Sequence, residues 1–65
     1  MNKYLIAEVT VNKLDGAKVK YLNSRPGITA TSDLNSEFLK KFDTIEEAQK
    51  EIKYANQCVV KASWL

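Results

Sequence analysis

Cys58 is the chain's single thiol, and the sequence holds no histidine. A nucleophilic cysteine needs a neighbouring base or a depressed pKa, and the commonest base is missing. In the alternating run "QCVVKASWL" it reads instead as a small core hydrophobe. Tetrahedral zinc sites draw on several Cys and His ligands, so zinc is not expected. Calcium would need a loop rich in oxygen ligands, and "KLDGAK" offers one acid beside a glycine, the signature of a hairpin turn. The cluster Asp43, Glu46, Glu47 and Glu51 has the types for acid–base work, but acids gather at a helix start because the dipole favours them there. "NSRPGITATS", with one glycine and an arginine, does not match a phosphate-cradling loop. The expectation is a non-enzyme with no catalytic residues, cofactor or metal.

Binding chemistry is better supplied. Lys18 and Lys20 share one face of a strand, and Lys3, Lys61 or Arg25 would join them if the terminal strands flank the hairpin. With Tyr4 on that side, the face has the basic and aromatic parts of a nucleic-acid surface. A solvated face whose lysines discourage edge pairing competes with that reading and is preferred. Ile6, Leu22, Val59 and Leu65 fall opposite the apolar faces assigned to the core, so they are expected to need a protein partner or a second copy of the chain. Ile6→Lys or Val59→Lys should then abolish binding without unfolding the protein. Arg25, at the tip of "SRPG", is a further candidate because no structural reason for it is evident.

The elements that must position these residues follow from periodicity. Leu5, Ala7, Val9 and Val11 alternate with Tyr4, Ile6, Glu8 and Thr10, and "AKVKYLN" alternates again after Asp15-Gly16. Residues 3 to 23 therefore form a β-hairpin with Leu5, Ala7, Val9 and Val11 toward the core. Pro26-Gly27 sets a turn, "ITATS" returns as a short strand, and Ser32 or Asp33 caps a brief helical turn. "FLKKF" reads equally as the end of that turn or as a short strand. Thr44 with Glu47 makes a capping box, and Ile45, Ala48, Ile52 and Ala55 form one stripe of a helix spanning about residues 44 to 55. Glu46 and Lys50 pair on its solvent side, Asn56 ends it in the left-handed conformation, and a final strand follows. The expected fold is a single α+β domain: a small antiparallel or mixed sheet packed by one main helix.

Size and charge fit this. A chain of 65 residues removes only about 60% of its unfolded surface on folding, so its core is small. Ten basic against eight acidic residues, scattered along the chain, are too balanced to demand nucleic acid. One cysteine excludes an internal disulfide, no apolar run reaches the ~18 residues of a membrane span, and a cytoplasmic setting is expected.

Lys20-Tyr21-Leu22, Leu39-Lys40-Lys41-Phe42 and Asp43-Thr44-Ile45-Glu46-Glu47-Ala48 together resemble small uncharacterised proteins of phages and prophages of Gram-positive bacteria, over about residues 20 to 55. The resemblance implies an accessory protein acting by binding, in the host cytoplasm, and carries over no catalytic residue. The leading expectation is thus an interaction module for a protein partner or for itself as a homodimer, through Ile6, Leu22, Val59 and Arg25. The alternative is a nucleic-acid binder using Lys18, Lys20 and Arg25.

Overall fold

The computed structural model describes residues 3–63. Four strands form one antiparallel sheet in the order β3-β2-β1-β4: β1 Lys3–Asn12, β2 Gly16–Arg25, β3 Ile28–Thr31 and β4 Gln57–Ala62. The one helix among the described residues, α1, spans Ile45–Lys50. Asn12 Oδ1 accepts the Leu14 N–H at 2.8 Å, and Gly16 at φ 74° closes the β1–β2 turn. Of the Asp15-Gly16 pair, only the glycine takes the positive φ. Gly27 at φ 80° does the same after Pro26, and β3 returns as the sequence indicates.

The segment with two readings, residues 38–42, turns out to be a wedge. β1 and β2 pair regularly from Asn12↔Gly16 to Ala7↔Tyr21 and then part. Into the gap comes Leu39, bridged to Asn23, while Phe42 bridges Tyr4 on the other strand. The Lys40 N–H donates to Leu22 O at 3.1 Å, and Tyr4 and Phe42 exchange two bonds of 2.9 Å. Both bridges are antiparallel although β1 and β2 run oppositely, so the chain bends between Leu39 and Phe42.

Asn23 sits in the crotch of this fork, 5% exposed. Its Nδ2 donates to Ile28 O at 2.9 Å and its Oδ1 accepts from Ser36 Oγ at 3.1 Å, so both ends of a buried amide are partnered. Before the wedge, Asp33 opens a single turn, its carbonyl accepting the Ser36 N–H at 3.2 Å, but no helix follows. Asp33 Oδ1 accepts the Asn35 N–H at 2.9 Å, an Asx turn at the start of that turn.

The sheet is covered on both faces, and not as alternation suggested. The odd-numbered face carries the cluster of Leu5, Leu39 and Ala62, flanked by Tyr21, Leu34 and Val60. Its cover is the chain between β3 and α1, which lays Leu34 and Leu39 over it. Helix α1 lies on the even-numbered face, where Ile6 and Ala48 are both 0% exposed. Ile6 is therefore core. Val9 and Val11, expected in the core, are 36% and 78% exposed, because β4 and the Leu34–Leu39 cover stop short of them. Cys58 is also exposed.

Helix α1 is shorter than its stripe promised, at six residues. Its start follows the sequence: Thr44 Oγ1 accepts the Glu47 N–H at 3.2 Å, while Glu47 Oε2 accepts from the Asp43 N–H at 3.3 Å. Its end does not. The Glu51 and Ile52 amides bond three residues back, and Gln57 Oε1 takes the Lys53 and Tyr54 amides at 2.8 and 3.3 Å. Those amides are withdrawn from further helical turns by a side chain of β4. Asn56 is not left-handed, since among the described residues only glycines have positive φ. It bonds to Val9 through its backbone carbonyl and its side-chain amide.

Candidate interaction surface

The two most exposed large apolar residues, Leu14 and Val11, lie with Val9 and Val19 on one feature, a two-stranded ribbon, while Tyr54, Ile45, Ile28 and Phe38 are exposed singly elsewhere. β4 pairs with β1 only from Lys3 to Glu8, and β3 pairs with β2 only from Tyr21 to Arg25. Beyond those limits β1 and β2 continue as a hairpin that no other described strand flanks, hydrogen-bonded to the rest of the described chain only at Val9, by Asn56. Cross-strand pairs Val9↔Val19 and Val11↔Ala17 set the odd side chains on one face, and Leu14 sits at the tip, 93% exposed. The other face carries the pair Thr10↔Lys18 and, at its root, Glu8↔Lys20.

The residues singled out from the sequence are dispersed by this fold. Ile6 is sealed beneath α1, so Ile6→Lys would bury a charge and unfold the protein rather than silence a surface. Val59, on the same face, is half-buried, lining a groove with Tyr4, Ile45 and Ile52. Leu22 is half-buried in a cleft of about 410 Å³ with Glu8, Lys40, Glu51 and Tyr54. Leu65 lies outside the described residues.

Arg25 does have a structural role. Its guanidinium carbon stands 5.8 Å from the centroid of Phe38, a residue of the wedge, in cation–π range. Lys18 Nζ lies 3.7 Å from Asp15, and both are more than half exposed, so the pair is weak. Arg25 and Lys18 are separated by most of β2; Tyr4 lies toward the Arg25 end of the sheet, bridged by Phe42 on one side and paired with Lys61 of β4 on the other. Lys3 pairs with Asp43. Tyr4 thus meets Lys61, while Lys18 and Lys20 lie further along the sheet, opposite Thr10 and Glu8, and Arg25 faces Phe38.

Sequence reasoning missed the ribbon's apolar face by assigning Val9 and Val11 to the core. The structure pairs a ten-residue β1 with a six-residue β4, a mismatch that the alternation of "QCVVKASWL" does not show. No helix among the described residues is long and apolar enough to cross a membrane. No family model matches the chain, and no curated protein or solved structure matches it either.

Proposed function

We propose that this protein is a small non-catalytic interaction module that binds a protein partner through its projecting ribbon. The observation that carries the reading is the exposure of Val9, Val11, Leu14 and Val19 along one hairpin, 36%, 78%, 93% and 41% respectively. A chain this small has little apolar area to spare, and leaving a contiguous stripe in water costs stability unless something covers it. Leu22, Val59 and Arg25 are secondary to that surface. The nucleic-acid reading has no comparable support, since its lysines and Arg25 are spread and Arg25 faces Phe38. A phage or prophage origin rests on the motif resemblance, and the genomic neighbourhood tests it.

The direct experiment is partner capture with tagged protein from its native cells, comparing wild type with Val11→Lys and Val19→Lys. Each substitution is expected to shift stability by no more than about 0.5 kcal/mol, as exposed positions do. Capture should fall about tenfold or more, because burying a valine at an interface is worth over 1.4 kcal/mol. Undiminished capture by both variants refutes the ribbon.

A further inference from the structure

The ribbon has an open backbone edge as well as an apolar face. Leu22 O accepts from Lys40 and the Ser24 N–H donates to Phe38 O, so the even-numbered backbone groups of β2 point to the side of β1 and the wedge. By alternation, those of Ala17 and Val19 point the other way, toward the line of β3. β3 never reaches them: its last pairing is Thr31↔Tyr21, and the chain then bends away at Ser32. Among the described residues nothing pairs with the outer edge of Gly16–Lys20, roughly 17 Å of strand. Among the described residues the outer edges of β3 and β4 are unpaired too, but β3 is only four residues long and Val59 of β4 is half-buried against α1.

We infer that this edge accepts an added β-strand from the partner, an extended segment in which apolar and acidic residues alternate. The inference rests on the protein-binding reading above and names the chemistry of the partner. A strand laid beside β2 sets one series of side chains next to Val19 and Ala17 on the apolar face. The other series falls next to Lys18 and Lys20. Glu8 stands opposite Lys20 and Asp15 beside Lys18, so residues 8–20 hold three lysines against two acids, a net +1 that favours carboxylates in that second series.

The same lysines disfavour a second copy. Any two-fold pairing of β2 with itself centred on Lys18 or Val19 sets lysine opposite lysine, an arrangement that destabilises a ladder. The edge is guarded against its own kind and open to acid.

The probe is a synthetic eight-residue peptide alternating valine and glutamate, titrated into isotopically labelled protein, with a valine–lysine peptide as control. The glutamate peptide should slow amide exchange at Ala17 and Val19 and bind at least about tenfold tighter than the control. Val19→Pro removes an outward N–H while sparing the bonds to β1, and should abolish this protection. Lys18→Glu with Lys20→Glu should reverse the peptide preference. Protection at neither amide, or equal binding of both peptides, overturns strand addition. A doubling of mass with the Ala17 and Val19 amides protected in the absence of peptide overturns it in favour of self-pairing. If strand addition fails while Val11→Lys still impairs partner capture, the protein-binding reading stands on the apolar face alone. If neither holds, both fall.

Discussion

At the scale of single residues, the structure assigns work to side chains whose sequence context hides it. Asn23 is a polar residue in a β-strand, and nothing in "KYLNSR" marks it as buried. Its burial follows from a wedge brought in from sixteen residues away, at Leu39. Asn23→Ala strips partners from Ser36 and from Ile28 O, and should lower stability by about 1–3 kcal/mol in a urea titration. Ile6→Ala should cost about 2–5 kcal/mol by leaving a cavity at a fully buried position. Ile6 misled because alternation tells which residues share a face and not which face is covered. Arg25 misled for a similar reason, as its partner Phe38 lies in a segment without periodicity.

At the scale of elements, starts were legible and ends were not. The Thr44–Glu47 cap is a local signal, and it forms. Thr44→Ala should therefore cost about 0.5–2 kcal/mol, read from a shift in the thermal midpoint at fixed concentration. The helix's early stop depends on Gln57, a residue of another element, and no stripe within 44–55 could announce it. The hairpin turn, the Pro26-Gly27 turn and all four strands were written in alternation and turn chemistry. The strand order was not, because it depends on which neighbours are long enough to pair. Native-state hydrogen exchange should show the difference: amides of Leu5 and Ala7, bonded between β1 and β4, exchange more slowly than those of Val11, Ala17 and Val19.

At the scale of the whole molecule, a loop, a sheet and a short helix stack as three thin layers, with the ribbon extending from one end. The fork explains why the central pair of strands does not close along its full length. Carrying the β1–β2 register past Ala7↔Tyr21 would set Leu5 against Asn23 and Tyr4 against Ser24, positions now taken by Leu39 and Phe42. A local hairpin forms faster than a contact across sixteen or more residues, so a folding chain meets the zipped arrangement first. Asparagine at position 23 makes that overrun costly, being poorly suited to a paired strand and left there without its two partners. Asn23→Val should thus slow refolding in stopped-flow measurements, as the hairpin holds a register it must surrender before the wedge can enter.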